Sequence, residues 1–159
     1  PYTNHLEEVA SFTRLWGGSE NAIAAAWLHD TVEDCPPTSS DEICSVFGAT
    51  IGSIVAELTD DKSLPKMERK KKQIENAPKK SIDASLVKLA DKASNVGAIG
   101  KSPPADWQLE RRLDYIRWAN EVVGRLPHAP KEALDEFLKR CPFRGCSKKR
   151  NGYFPNDLR

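Results

Sequence analysis

Hydrophobic residues recur along most of this chain at three- and four-residue steps, which is the period of an amphipathic helix. The first run covers residues 6–16 and ends at the pair Gly17-Gly18. A second helix is predicted over 20–33, with Ser19 as its N-cap and with alanines that permit close approach of a neighbouring helix. The pattern therefore favours helix packing from the start of the chain.

The rest of the chain repeats this pattern. A third helix is predicted from Ser39 or Ser40 to Phe47, and a fourth is predicted to follow Thr50 as its cap. No segment alternates in the way that a half-buried strand does. A very basic helix is predicted after the polar loop "TDDKSLP". Three further helices are predicted over 84–99, 107–126 and 130–140. These elements predict an all-α fold, a bundle of non-parallel helices.

The length of 159 residues suits one ordinary domain with a real hydrophobic core. We place that domain at residues 1–140. Residues 141–159 are basic, rich in Pro and Gly and without periodicity, so we expect a loosely attached C-terminal extension there. No internal repeat divides the chain further.

Charge and cysteine content narrow the partners and the compartment. The net charge is +1, which gives no overall field toward nucleic acid or membrane, so neither is predicted as a partner. No apolar run approaches the roughly 20 residues of a membrane span, and no signal peptide is recognised. Four cysteines without a C-x-x-C pair fit a reducing compartment, and we expect the cytoplasm.

Four ionisable side chains crowd the end of the predicted second helix, in "AAAWLHDTVEDC". On a continuous helix His29 would lie beneath Glu33, and Asp30 beneath Asp34, because residues four apart share a face. Such groups can bind a cation or move a proton. The competing interpretation is a helix end whose charges are merely solvated.

His5 and Asp91 extend this set from two other predicted helices. Two imidazoles and two carboxylates suit a borderline divalent ion such as Mn²⁺, Fe²⁺, Co²⁺ or Zn²⁺. Alternatively, His5 is a capping or satisfied core histidine, and Asp91 is paired with Lys88 or Lys92. Burial of Asp91 among apolar residues would be costly without a metal or another partner.

The chain resembles the HD-superfamily hydrolase domain of the Rel/Spo alarmone enzymes, and most closely the small alarmone hydrolases. The resemblance rests on "PYTNH", "WLHDTVED", "FGATIGSIVAELTDDKSLPKMERK", "LVKLADKASN" and "YIRWA", in this order over residues 1–127. It implies an all-α HD-domain bundle that binds one Mn²⁺. It also implies removal of the 3′-pyrophosphate from (p)ppGpp, giving GDP or GTP and pyrophosphate, the degradation of the alarmone in the stringent response.

The resemblance also assigns roles to individual residues. The implied metal ligands are His5, His29, Asp30 and Asp91. The acidic pair implied to place and deprotonate the attacking water is Glu33 and Asp34. The implied substrate-binding residues are Lys66, Asn95, Arg111 and Tyr115. Lys70 to Lys72 are interpreted instead as a solvated helix face.

Other functions stay open at this point. Removal of the 2′-phosphate of NADPH uses the same chemistry, because both substrates present a ribose phosphate to the same metal. A general HD nucleotide phosphohydrolase, similar to a 5′-nucleotidase, is a broader alternative. A non-catalytic alarmone sensor is a third, although the complete set of acidic and imidazole groups argues against it. Each alternative has a small nucleotide as its ligand, and the sequence leaves the oligomeric state open.

Overall fold

A computed structural model describes residues 2–142, and all regular secondary structure in that part of the chain is helical. The helices are α1 (Tyr2–Leu15), α2 (Glu20–Leu28), α3 (Thr31–Asp34), α4 (Ser40–Phe47), α5 (Ala49–Leu58), α6 (Lys66–Asn76), α7 (Ile82–Lys101), α8 (Leu109–Gly124) and α9 (Lys131–Arg140), with a 3₁₀ turn at Ala77–Lys79. The prediction of an all-α fold is confirmed. Residues 143–159, most of the predicted C-terminal extension, lie outside the described part.

Serine caps begin the early helices as the sequence predicts. The hydroxyls of Ser19 and Ser39 accept hydrogen bonds from backbone amides in the first turns of α2 and α4. The predicted cap at Thr50 is wrong, because α5 begins at Ala49. Gly48 takes the N-cap position with φ of 91°, a left-handed conformation that favours glycine.

The predicted continuous helix over 20–33 is wrong in its extent. α2 ends at Leu28, and Asp30 has φ of −103° and ψ of −2° before α3 begins. The Nδ1 atom of His29 lies 2.7 Å from the carbonyl oxygen of Ala26, one of the last carbonyls of α2. This contact satisfies a carbonyl that a helix end otherwise leaves unpaired. The amide of Asp34 still donates to the carbonyl of Asp30 at 2.8 Å, so the four-residue register survives locally.

Helix α7 is the centre of the fold. Fourteen of its residues are buried, so neighbours surround it on nearly every side. It contacts α1, α2, α5, α8 and α9. One apolar cluster, which includes Val9, Val55 and Val87, lies toward α1, α2 and α5. A second, which includes Ile116 and Phe137, lies toward α8 and α9.

The hydrophobic length of the helices bears on membrane insertion. Within residues 2–142, none is both long enough and apolar enough to cross a bilayer.

Candidate active site

Two imidazoles and a carboxylate come together where α1 and the end of α2 pack against α7. His5 comes from α1, His29 follows α2, and Asp91 lies in the middle of α7. One possible ligand atom from each lies within 4.8 Å of the others. The Oδ1 atom of Asp91 is 3.7 Å from Nε2 of His5 and 4.0 Å from Nε2 of His29. We call this group the three-residue cluster.

The chemistry of His29 suits a metal ligand. Its Nδ1 faces the carbonyl oxygen of Ala26, which only accepts hydrogen bonds, so Nδ1 carries the proton. Its Nε2 is buried and makes no well-formed hydrogen bond within the described residues, although Oδ2 of Asp30 lies 3.3 Å away. Burial lowers the pKa of His29, but the carboxylates of Asp30 and Asp91 outweigh burial and raise that pKa above its ordinary value. A positive charge, whether a proton or a metal ion, is therefore favoured at this position.

Asp91 is an ionised carboxylate held from several sides. Its Oδ1 accepts a hydrogen bond from Nδ2 of Asn95 at 2.5 Å, and its Oδ2 lies 3.0 Å from Nζ of Lys92. Burial alone would raise the pKa of Asp91, but Lys92 and Lys88 hold it well below its usual range. The expectation of an ion pair with Lys92 is confirmed, and this pair coexists with the cluster.

Asp30 lies at the edge of the cluster. Its Oδ2 is 3.3 Å from Nε2 of His29 and accepts a hydrogen bond from the hydroxyl of Tyr2. In the described part of the chain it is not a member of the compact group formed by the other three. Its role as a fourth ligand stays a prediction. The contact with Tyr2 had no signal in the spacing of the sequence.

The acidic pair that follows the cluster is divided between two environments. Glu33 is partly buried, and its Oε1 accepts a hydrogen bond from the backbone amide of Asp60 at 2.7 Å. Burial raises the pKa of Glu33 above its ordinary value, which makes it a better proton acceptor once ionised. Asp34 is half exposed, and its Oδ1 lies 2.8 Å from Nζ of Lys62. Lys62 thus neutralises part of the charge of this pair.

The predicted substrate residues lie on α6, α7 and α8. Asn95 contacts the cluster directly through Asp91. Tyr115 packs between the rings of Trp107 and Trp118, at centroid distances of 5.7 and 5.3 Å. Burial raises the pKa of Tyr115 to about 12, so its hydroxyl stays protonated and can donate a hydrogen bond.

The two predicted phosphate-binding cations are more exposed. Arg111 stacks on the ring of Trp107 at 4.4 Å and pairs with Asp106 at 3.2 Å. Lys66 is exposed at the first position of α6. The interpretation of Lys70 as part of a solvated face is wrong, since its Nζ lies 4.9 Å from the ring centre of Trp118.

Comparison with known proteins places the chain among nucleotide hydrolases. A family model described as an HD domain matches residues 1–120. Guanosine-3′,5′-bis(diphosphate) 3′-pyrophosphohydrolase MESH1 of Danio rerio is 44% identical over 142 residues, which cover 88% of this chain and 78% of that protein. MESH1 of Drosophila melanogaster is 43% identical over 128 residues, which cover 79% and 71%.

A solved structure gives the same indication. It belongs to a metazoan orthologue of SpoT that hydrolyses ppGpp and plays a role in starvation responses. The TM-score is 0.80 at 40% identity, over 88% of this chain and 81% of that one. Fold and sequence thus lead to the same group of proteins.

Proposed function

The chain belongs to the HD-domain family, and from that premise we propose that it removes the 3′-pyrophosphate of guanosine 3′,5′-bis(diphosphate). The products are GDP and pyrophosphate, with GTP in place of GDP when the substrate is the pentaphosphate. The observation that carries this proposal is the three-residue cluster in a chain 44% identical to an enzyme of that name. In a cell, such a reaction degrades the alarmone of the stringent response.

The donors of the cluster fit a divalent metal ion, and we propose Mn²⁺. Imidazole nitrogen together with carboxylate oxygen suits a borderline ion, and other divalent metals fit the same donors. His5, His29 and Asp91 would hold the ion, with Asp30 as the fourth ligand. The buried Nε2 of His29 supports this assignment, because it faces the carboxylates of Asp30 and Asp91 without a well-formed hydrogen bond within residues 2–142. A bound divalent ion lowers the pKa of water and stabilises charge on a phosphoryl oxygen.

Glu33 is the residue that we propose as general base. One of its oxygens accepts a hydrogen bond from the amide of Asp60, which fixes the orientation of the carboxylate. A carboxylate with a raised pKa takes a proton from water more readily than an ordinary one. Asp34 follows Glu33 in the chain and forms an ion pair with Lys62. We propose that this ion pair helps to place the attacking water.

The substrate's phosphates need cations, and its ribose needs hydrogen bonds. Lys66 and Arg111 would supply the cations, as exposed side chains on α6 and α8, two helices in contact with each other. Asn95 and the protonated hydroxyl of Tyr115 would hold the ribose beside Asp91. These four roles rest on the match to the family motifs together with this placement.

Product analysis tests the proposal. Purified protein with Mn²⁺ is mixed in parallel with ppGpp, NADPH and GMP, alongside an EDTA-treated sample and the Asp91→Ala variant. We expect GDP and pyrophosphate from ppGpp, only with metal and only with Asp91. Phosphate released from NADPH as well would establish a second substrate.

Two other outcomes contradict the proposal. Turnover of GMP alone would move the chain to the general nucleotidases. Binding of ppGpp without turnover would make it a sensor. We also propose a cytoplasmic location, supported by the sparse cysteines.

A further inference from the structure

A chain of polar contacts runs from His5 away from the cluster, on the far side of the imidazole. Nδ1 of His5 lies 2.9 Å from Oγ of Ser94, and this hydroxyl donates to Oε2 of Glu8 at 2.6 Å. The other oxygen of Glu8, Oε1, accepts a hydrogen bond from Nη1 of Arg140 at 2.8 Å. We call Ser94, Glu8 and Arg140 the His5 relay. It joins α1, α7 and α9 behind a predicted metal ligand.

The proton positions in the relay follow from what each group can do. An ionised carboxylate only accepts hydrogen bonds, so the single hydroxyl hydrogen of Ser94 points to Glu8. The hydroxyl oxygen can then only accept from His5, and Nδ1 of His5 must carry the proton. In a neutral imidazole the lone pair is then on Nε2, the atom that faces Asp91 at 3.7 Å.

The direction of the serine hydrogen has independent support. Burial would raise the pKa of Glu8, but its hydrogen bonds with Ser94 and Arg140 outweigh burial and lower that pKa, so Glu8 is ionised. Ser94 is itself buried, so its hydroxyl has little access to water as an alternative partner.

Arg140 is fixed in turn by groups that leave it little freedom. Its Nε donates to Oε1 of Glu136 at 2.9 Å, and its guanidinium stacks on the ring of Phe12 at 4.4 Å. It crosses α7 at Gly97, where a Cβ atom would lie 2.9 Å from Nη1 of Arg140. A larger residue at Gly97 would therefore displace the arginine from Glu8.

We propose that Ser94 and Glu8 are positioning residues that fix the tautomer and orientation of His5, and that Arg140 holds Glu8 in place for this task. The inference rests on the metal centre proposed above. Without the carboxylate, the hydroxyl of Ser94 is able to donate to Nδ1 instead, which would place the hydrogen of His5 on Nε2. That tautomer has no lone pair directed at the cluster.

Mn²⁺ binding to the full chain, measured by titration calorimetry, tests the relay without relying on turnover. Ser94→Ala and Glu8→Gln should weaken binding by about 10- to 100-fold, the usual effect of removing a group that orients a metal ligand. Ser94→Thr keeps the hydroxyl and should restore most of the affinity. Ser85→Ala is the matched control, since Ser85 is buried on the same helix and its hydroxyl has no hydrogen-bond partner in the described residues.

The tautomer of His5 is a second readout, taken on the metal-free protein. Long-range ¹H–¹⁵N correlation spectra should show the proton on Nδ1 in the wild-type chain and in Ser85→Ala. In Glu8→Gln the Nε2-protonated form should become populated, because an amide no longer dictates the direction of the serine hydroxyl. His5→Gln assigns the signal by its loss.

The outcomes separate the relay from the metal centre. Wild-type affinity together with an unchanged tautomer in Ser94→Ala and Glu8→Gln would overturn the relay alone. If the wild-type chain binds no divalent metal, the metal centre fails, and the tautomer of His5 decides the relay by itself. If Ser94→Ala loses its helical circular dichroism, Glu8→Gln carries the test, because Glu8 lies nearer the surface.

Discussion

Glu33 and Asp60 are joined by a hydrogen bond of 2.7 Å from the backbone amide of Asp60 to Oε1 of Glu33. This bond ties α3 to the segment that follows α5. The hydrogen bond fixes Oε1, while the other oxygen, Oε2, makes a longer ion pair with Nζ of Lys62 at 4.0 Å. A group fixed in this way can change its protonation without losing its position.

Glu33→Gln should therefore separate position from proton transfer. The amide oxygen of glutamine can accept the same hydrogen bond from Asp60, but an amide does not take a proton from water. We expect kcat for ppGpp to fall by about 10²- to 10⁴-fold, the usual contribution of a general base, with KM little changed. Steady-state kinetics with Mn²⁺ present measure both constants.

The control for this change is Glu42→Gln, at an exposed position on α4, which should behave as wild type. A kcat close to wild type in Glu33→Gln would contradict the assignment and move the role of base to Asp34. Asp34→Asn would then show the loss of rate instead.

Removal of Asp91 should affect both metal binding and stability. Asp91→Ala deletes a member of the cluster and also leaves Lys92 buried beside no carboxylate, since their ion pair of 3.0 Å is lost. Breaking a buried ion pair from one side costs about 3–5 kcal/mol. We expect no Mn²⁺ binding in calorimetry, no turnover of ppGpp, and a lower free energy of unfolding in urea.

The double variant Asp91→Ala/Lys92→Met distinguishes the two effects. It should recover part of the lost stability, because Lys92 no longer leaves a buried charge without its carboxylate, and it should still bind no Mn²⁺. Metal binding retained in either variant would remove Asp91 from the ligand set.

Arg111→Ala should raise KM for ppGpp and leave kcat largely unchanged, because the proposed contact with a substrate phosphate is made equally in the ground state and the transition state. Arg117→Ala is the matched control. Arg117 lies on the same helix, is exposed to a similar extent, and pairs with Asp114 as Arg111 pairs with Asp106. Equal values of KM in the two variants would contradict the proposed role of Arg111 and would make it an ordinary solvated surface residue.

The sequence predicted the helical class and most helix positions because apolar spacing and serine caps are local signals. The cluster was predictable for a related reason: its residues stand in recognisable motifs. The break after Leu28 was not predictable, because no Gly or Pro stands between residues 20 and 33 to mark it, and the contact of the His29 ring with the Ala26 carbonyl appears only in the structure. The contact between Glu8 and Arg140 spans 132 residues of sequence, and no local pattern encodes it.

Lys80 should make stability depend on pH in the alkaline range. It donates to the carbonyl of Glu57 at the end of α5, and burial lowers its pKa from 10.5 to about 8. Between these values the unfolded chain binds more protons than the folded one, so the contribution of Lys80 to stability rises with pH. Below the folded pKa, both states are protonated and the cost of burying the charge is fully present.

Urea unfolding of the wild type and of Lys80→Met on both sides of this window tests the effect. The stability of the wild type relative to the variant should rise by about 1–3 kcal/mol as pH increases across it. Lys79→Met, at the exposed neighbouring position, should show no such change relative to wild type. A difference between wild type and Lys80→Met that is constant with pH would contradict the lowered pKa of Lys80.

Gly52 marks a close crossing of α4 and α5. A Cβ atom at Gly52 would lie 2.2 Å from Sγ and 3.0 Å from Cα of Cys44, so backbone as well as side chain must move. Gly52→Ala gains up to about 1 kcal/mol of helix propensity, but overpacking of this kind costs about 1–3 kcal/mol. We expect a net loss of stability in thermal unfolding.

Gly124→Ala provides the comparison for this substitution. Gly124 is also helical, but a Cβ atom there would meet no described atom within 4 Å. The same change should therefore be neutral or stabilising at Gly124. If both variants melt at the same temperature, the crossing at Gly52 is looser than its geometry indicates.

The contrast between α6 and α7 determines what a substitution in each helix would disturb. Nearly every position of α7 faces either the core or the cluster, so a substitution there changes folding and chemistry together. α6 has no buried residue, although Lys70 contacts the ring of Trp118 and Lys66 is proposed to bind the substrate. A substitution at most solvent-facing positions of α6 should therefore leave the fold intact, whereas one in α7 is expected to disturb the core and the cluster together.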